Sequence, residues 1–351
     1  MRELVDRLFR TGELTEEEFR RLIRHRTKET ERYARDLACQ VREKNYGNQI
    51  YIRGLIEFTN YCKNDCYYCG IRKSNRNAQR YRLSQEDILE CCRQGYDLGF
   101  RTFVLQGGED GYFTPERMEK IIRTVKETYP DCALTLSVGE KDEETYRIYR
   151  EAGADRYLLR HETADEEHYR RLHPRSLSLE HRKGCLRTLK KLGFQTGAGF
   201  MVGSPGQTPE TLAEDFLFLK ELNPEMVGIG PFIAHRDTPL GGELNGTLQD
   251  TLFYLALVRL MLPDVLLPAT TALGTIHPEG SELGILSGAN VVMPNLSPVS
   301  VRKKYMLYDG KICTGDEAAE HLENLAERMK KIGCRIVTDR GDCRRSALRA
   351  F

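Results

Sequence analysis

"IYIRGLIEFTNYCKNDCYYCG", residues 50–70, opens as a strand and ends as a cysteine-bearing loop. Its first nine residues form a mostly apolar run of strand length. The polar remainder carries Cys62, Cys66 and Cys69 in the spacing C-x3-C-x2-C, with Tyr68 before the last cysteine and Gly70 after it. A β-run that hands over to such a loop is the start of a βα unit, so the fold turns on how often that unit recurs.

Eight such runs occur: "IYIRGLIEF" (50–58), "RTFVLQ" (101–106), "ALTLSV" (133–138), "DRYLLR" (155–160), "QTGAGFMV" (195–202), "MVGIGPF" (226–232), "VLLPATT" (265–271) and "NVVMPN" (290–295). Helical stretches alternate with them and carry their own punctuation. Ser84 precedes "QEDILECCRQGYDLG" with Asp87 three residues on and Gly99 beyond the end, while Thr114-Pro115 and Thr208-Pro209 each pair a cap with proline at the first helical position. Eight alternations fit an α/β fold of the closed (β/α)8 TIM-barrel type better than an open sheet. The expected layout is an N-terminal helical extension of two helices (1–45), the barrel (46–300) and a C-terminal segment covering the barrel (301–351), with a helix near 316–332. Chemistry in such barrels collects at the C-terminal ends of the strands. Thr59 and the cysteines, "QGGED", Ser137, "RHE", "GSPGQ", Thr270 with Thr271, and Asn295 all fall there.

Composition narrows the partners. Across 351 residues, 53 Lys and Arg stand against 52 Asp and Glu, a net charge of +1, which supplies no global field to gather nucleic acid or an anionic membrane. No run of about 18 apolar residues occurs. The N-terminus is an amphipathic, charge-rich helical pattern without a signal peptide's apolar core, so a cytoplasmic location is expected. Eleven cysteines form no regular disulfide framework. Cys39, Cys132 and Cys185 read as isolated core residues.

The clustered cysteines ask for another explanation. A structural zinc site needs four ligands, and no second pair follows at zinc-ribbon distance. A redox pair at Cys66 and Cys69 leaves Cys62 unexplained, and Asn60, Lys63, Asn64 and Asp65 argue for a loop rather than a core. A cubane iron–sulfur cluster uses all three and leaves its fourth iron open. The C-x3-C-x-aromatic-C pattern after the first strand of a (β/α) barrel resembles the radical S-adenosylmethionine (SAM) superfamily. That resemblance implies a 4Fe-4S cluster on Cys62, Cys66 and Cys69, with SAM on the open iron. It further implies a cofactor shell: Gly107, Gly108 and Glu109 of "QGGED" by the methionine amino group, Tyr68 and Met201 by the adenine, Ser137, Glu162 toward the ribose, and Arg182 toward the carboxylate.

Within the superfamily, "LIEFTNYCKNDCYYCGIR", "VLQGGED", "ADRYLLRHET", "TGAGFMVGSPGQT", "MVGIGPFIAHRDTPL", "LPATTALGTI", "GANVVMPNLSP" and "YDGKIC" resemble in order the FeFe-hydrogenase maturase family HydE, with biotin synthase and methylornithine synthase as relatives. The similarity spans about residues 1–313. It implies a radical enzyme in assembly of the two-iron subcluster of the hydrogenase, acting on a small cysteine-bound iron carbonyl cyanide complex. HydG and HydF are the implied partners, and a ferredoxin or flavodoxin the electron donor. The residues placed toward substrate are Gln106, Arg160, Thr270, Thr271, Met293, Tyr305 and Tyr308; His161 and His235 read as structural. Some family members hold a second cluster on cysteines near the C-terminus, but after Cys313 the next are Cys334 and Cys343, so none is expected. A methylornithine-synthase-like or biotin-synthase-like reaction and a non-catalytic iron–sulfur carrier are the competing readings.

Overall fold

The computed structural model describes residues 1–312 and 319–345. Cys313 lies outside the described residues. Three N-terminal helices, α1 (Arg2–Thr11), α2 (Glu16–His25) and α3 (Lys28–Tyr46), replace the two expected, because Thr27 caps a new helix only two residues after α2 ends. The strands follow as β1 (Gln49–Ile52), β2 (Gly54–Thr59), β3 (Thr102–Gly107), β4 (Ala133–Ser137), β5 (Arg156–Leu158), β6 (Gln195–Ala198), β7 (Met201–Val202), β8 (Met226–Val227), β9 (Gly230–Pro231), β10 (Val291–Val292) and β11 (Arg335–Val337). The intervening helices are α4 (Gln85–Asp97), α5 (Pro115–Thr128), α6 (Glu143–Glu151), α7 (Glu166–Leu172), α8 (Leu179–Lys191), α9 (Pro209–Leu222), α10 (Leu248–Met261), α11 (Thr271–Ile276), α12 (Gly280–Ile285), α13 (Val299–Arg302) and α14 (Leu322–Lys331). The expected caps are present: Ser84 and Asp87 form a reciprocal box on α4, and prolines open α5 and α9.

Parallel pairing runs β2-β3-β4-β5-β6-β8. Single bridges then carry the sheet round, from Met226 to Leu266, from Pro268 to Val291 and from Asn295 back to Leu55. Backbone bonds from Val227 N to Leu266 O (3.0 Å), Ala269 N to Val291 O (2.9 Å) and Leu55 N to Pro294 O (2.9 Å) complete the ring. All eight β-runs of the sequence are therefore staves of one barrel. Ile56, Phe58, Phe103, Leu105, Leu134 and Leu136 pack toward the helices, so the alternate positions face the lumen. Helix α10 is apolar all round because α1 and α3 cover the face that an ordinary barrel helix shows to water. No helix among the described residues is long and apolar enough to cross a membrane. Cys132 and Cys185 are buried as expected, whereas Cys39 is only half-buried and accepts from the Arg42 guanidinium at 3.4 Å.

The C-terminal segment reaches both ends of the barrel. Residues 304–311 cross the C-terminal rim, while β11 pairs with β1 and the chain after it closes the opposite end. There the fully buried Arg156 guanidinium donates to Thr102 Oγ1 (3.0 Å), Arg340 O (2.7 Å) and Asp342 Oδ1 (2.6 Å). Burial alone would raise the Asp342 carboxyl, but Arg156, Arg340 and Gln195 hold it well below its ordinary 3.8. A carboxylate with a depressed folded pKa stabilises the fold above its unfolded pKa, and that contribution is lost as the pH falls toward the folded value.

Replacing Asp342 by Asn leaves Arg156 buried without a counter-charge. Breaking a fully buried pair costs ~3–5 kcal/mol, and partial exposure of Asp342 reduces the expected loss to about 2 kcal/mol. Melting curves at pH 7 should show that loss, and the gap between variant and wild type should narrow below about pH 4.

Candidate functional site

The loop that follows β2 is held by side chains rather than by regular structure. Asn60, fully buried, donates to Gln79 O (2.8 Å) and Lys304 O (2.7 Å) and accepts from Tyr81 N (2.8 Å). Arg80 donates to the carbonyls of Ile71 (2.8 Å) and Arg72 (2.6 Å), and Asp65 accepts from Arg72 Nε (2.7 Å) and both Ser74 donors. These bonds hold the Asp65 carboxyl well below its usual value. Inside this wrapping Cys62, Cys66 and Cys69 are partly buried and within electrostatic range of one another. Burial raises all three thiols, Cys69 to about 12, with the neighbouring thiols and Glu162 adding to the shift at Cys66 and Cys69.

That chemistry decides which metal group fits. Among the described residues no three His, Cys, Asp or Glu side chains converge on a point that one ion would occupy. A cubane asks for the opposite arrangement, since each thiolate binds its own iron at a separate corner. Three neighbouring thiols on one clamped loop suit it, and the proton cost of forming buried thiolates is offset only when metal binds.

"QGGED" is the floor beneath the loop. A Cβ on Gly108 would stand 2.2 Å from Tyr61 O and 2.8 Å from Cys62 Cβ, and one on Gly107 would stand 2.7 Å from Thr59 Cγ2. The glycines are thus required for close backbone approach, not merely for a turn. Glu109 is buried; its Oε1 accepts from Glu140 N (3.0 Å) and its Oε2 stands 3.2 Å from Lys63 Nζ.

Around the thiols lie the remaining residues expected to form a cofactor shell. Tyr68 joins Met201, Leu172 and Phe232 in a small apolar cluster. Its hydroxyl meets His173 Nε2 at 3.2 Å, while His173 Nδ1 lies 3.1 Å from Tyr169 O. A carbonyl only accepts, so Nδ1 carries the proton and Nε2 receives the Tyr68 hydroxyl. Burial, reinforced by Arg182, pushes His173 down to about 3 and keeps the ring neutral. Glu162 adopts φ 68, rare for a residue with a side chain, and its backbone is pinned by Glu162 N to Gly199 O (3.0 Å) and Met201 N to Glu162 O (3.1 Å). Buried His161 braces this corner, accepting from Gly199 N at Nδ1 (3.3 Å) and facing Asp215 with Nε2 (3.2 Å). Arg182 is drawn inside rather than left solvated, with Nε on Glu140 Oε1 and Nη1 3.3 Å from Arg160 O.

The residues placed toward substrate share the same rim. Gln106 and Ser137 are register partners at the ends of β3 and β4. Gln106, Ser137, Arg160, Thr270 and Met293 occupy lumen-facing strand ends yet remain partly exposed, so the upper barrel is open. Arg160 Nη2 stands 3.1 Å from Glu162 Oε2, while Arg160 Nε and Thr270 Oγ1 have no hydrogen-bond partner. Thr271 begins α11. Tyr305 is buried beside Gln106 and Glu57, and Tyr308 is half-buried. Sequence reasoning missed His173, Arg80 and the buried pair of Glu57 with Lys311 (2.5 Å). Glu57, an acid inside an apolar strand, was the available signal.

Residues 56–219 match the Radical SAM superfamily. The chain is 47% identical over 309 residues to the [FeFe] hydrogenase maturase subunit HydE of Thermotoga maritima, covering 88% of each chain. It is 30% identical over 332 residues to 3-methylornithine synthase of Methanosarcina barkeri, covering 94% of this chain and 92% of that one. The crystal structure of methylornithine synthase (PylB) superposes with a TM-score of 0.82 at 28% identity, over 95% of this chain and 97% of that one.

The glycine floor gives a direct check. Gly108→Ala forces Tyr61 and Cys62 aside at a cost of about 1–3 kcal/mol. Iron bound per chain after anaerobic reconstitution should fall well below wild type, while the far-ultraviolet circular dichroism spectrum stays unchanged.

Proposed function

This chain belongs to the radical S-adenosylmethionine superfamily, in the branch that holds HydE, and from that membership we propose that it acts in assembly of the two-iron subcluster of an FeFe-hydrogenase. It is a radical SAM enzyme, and the family implies a 4Fe-4S cluster and SAM. In our reading Cys62, Cys66 and Cys69 are the three protein ligands and the fourth iron is left to the cofactor. When bound, cluster and SAM together supply a 5′-deoxyadenosyl radical by one-electron cleavage of the sulfur to C5′ bond. The protein's own work is positional. Tyr68, fixed by His173, and Met201 provide an apolar wall for the adenine; Glu162 presents a carboxylate to the ribose; Gly107 and Gly108 bring backbone close to the thiol loop. Arg182 sets a positive charge beside Cys66 and Tyr68.

The observation that carries the reading is the coincidence of the three thiols with a strained glutamate at the mouth of an open barrel. Beyond the cofactor, Arg160, Gln106, Thr270, Thr271 and Met293 offer an anionic, sulfur-bearing guest one cation, hydrogen-bonding groups and a soft wall, with Tyr305 buried beside Gln106 and Tyr308 half-buried. A small cysteine-bound iron carbonyl cyanide complex meets that description. HydG would supply it, HydF would receive the product, and a ferredoxin or flavodoxin would deliver the electron. The relationship to 3-methylornithine synthase supports a second reading, in which the same rim holds an amino acid; formation of 3-methylornithine by the purified enzyme would decide for it.

Reconstituted anaerobically with SAM and dithionite, the protein should release 5′-deoxyadenosine, and serine at Cys62, Cys66 or Cys69 should abolish it. Cys313→Ala should leave cleavage near the wild-type rate, as expected if no second cluster is needed. Glu162→Gln should weaken SAM binding about tenfold, since a hydrogen bond to a charged group contributes ~1.5–3 kcal/mol. Restoration of hydrogenase activity in a host lacking its own HydE tests the assembly role, and failure there with intact SAM cleavage would leave the chemistry and remove the substrate.

A further inference from the structure

Gly70, directly after Cys69, is covered by the C-terminal segment. Gly70 N donates to Leu307 O (2.8 Å), and a Cβ on Gly70 would stand 2.2 Å from both Met306 O and His235 Cδ2. One layer of chain therefore separates the thiol loop from the outside. Immediately beside it opens a cleft of about 510 Å³, bounded by Gly70 and Ile71 of the loop itself, by Asn75 and Asn77, and by Lys303 and Lys304.

The charges around this cleft are lopsided. Lys303 and Lys304 line it, Arg76 sits between two lining residues, and Lys73 lies two positions before Asn75; none of the four is ion-paired with a described residue. Two of the three nearby acids are paired, Asp65 with Arg72 and Asp309 with Arg236, while Asp237 accepts only from the neutral Asn77 amide (2.9 Å) and leaves one negative charge among the four cations. With a net charge of only +1 over the chain, a local excess of cations is a property of this face and not of the whole surface.

We propose that this cationic cleft, over Gly70 and between residues 73–79 and 303–306, is the docking surface for an acidic one-electron carrier protein of the ferredoxin or flavodoxin class. The inference rests on the thiol loop holding the redox centre proposed above. Electron transfer falls steeply with distance, and this cleft is bounded by Gly70 and Ile71, the two residues that directly follow Cys69. Redox encounters are small, transient and steered by complementary charge, so loose lysines around a shallow polar cleft suit one better than an apolar patch would.

The test separates docking from chemistry. Binding of oxidised flavodoxin to the reconstituted protein is measured by titration at low and high salt, and 5′-deoxyadenosine formation is measured with reduced flavodoxin and, separately, with dithionite. Lys303→Glu with Lys304→Glu, and independently Arg76→Glu in case the pair disturbs folding, should raise the Kd at low salt at least about tenfold and flatten its salt dependence. Flavodoxin-driven cleavage should fall in parallel while dithionite-driven cleavage stays unchanged. Lys330→Glu with Lys331→Glu at the end of α14 makes the same charge change and should leave the Kd alone. Unaltered binding in the cleft variants, or an equal loss from the α14 pair, overturns the assignment. Absence of cleavage with dithionite in the wild type counts against the proposed function, and the binding titration still decides the docking surface.

Discussion

A carboxylate with no solvent exposure fixes the working end of this barrel. Glu57, on the strand that delivers the cysteines, receives Lys311 Nζ at 2.5 Å and Asn295 Nδ2 at 2.9 Å, and its carbonyl receives the Tyr81 hydroxyl at 2.6 Å. The first strand, the last strand, the end of the cysteine loop and the C-terminal segment thus share one residue. A charge placed there without partners would be too costly to keep, so the four elements must come together or the strand cannot be buried at all. Whether such a pair adds net stability is secondary to its effect on geometry. It makes the loop's two ends and its cover a single unit.

The cover follows from that unit. Lys311 also donates to Tyr305 O (3.1 Å), and residues 304–309 are tied to the loop through Asn60 and Gly70 and to the β9 side through Asp309 N to Ala234 O (3.0 Å). The thiols therefore lie between a glycine floor supplied by β3 and a strap supplied by the far end of the chain.

The sequence made the barrel legible because each strand and helix announces itself locally. All eight β-runs, the capped helices and the cysteine loop were readable from composition, spacing and punctuation. Three runs are more broken than their sequence suggests. Residues 50–58 divide at Arg53 into β1 and β2. Residues 195–202 and 226–232 each break in two where Gly199 and Gly228 pinch the staves until a Cβ on Gly199 would lie 2.0 Å from Gly228 O. β11, the Asp342 closure, His173 and Lys311 were missed for one reason, that they acquire meaning from partners more than 100 residues away, as with the pairing of Tyr51 to Val337 and of Tyr68 to His173. Local periodicity carries no information about such pairs. Arg80 is different, since its carbonyl partners Ile71 and Arg72 are close in sequence but belong to an irregular loop. The extra N-terminal helix was a different failure, a cap at Thr27 hidden inside a continuous charged pattern.

The rim residues divide by where their hydrogen bonds go, and that division assigns their work. Asp65, Glu109, His161, His173 and Arg182 each face a charged or polar group of the protein, so they set the positions of other groups. Arg160 Nε and Thr270 Oγ1 face none: both atoms are buried without a partner, on residues that are themselves partly exposed at lumen-facing positions. Native structures seldom leave buried polar atoms unsatisfied unless something else satisfies them in the working state. Glu162 falls between the two groups, with one oxygen shared with Arg160 and a backbone conformation that only its bracing sustains. Replacing the bracing side chains should therefore blur the geometry of the site, whereas replacing the unsatisfied ones should change which guest it holds. On the proposed reading, the boundary between positioning and recognition runs through Glu162, whose carboxylate would serve the cofactor and whose partner Arg160 would serve the substrate.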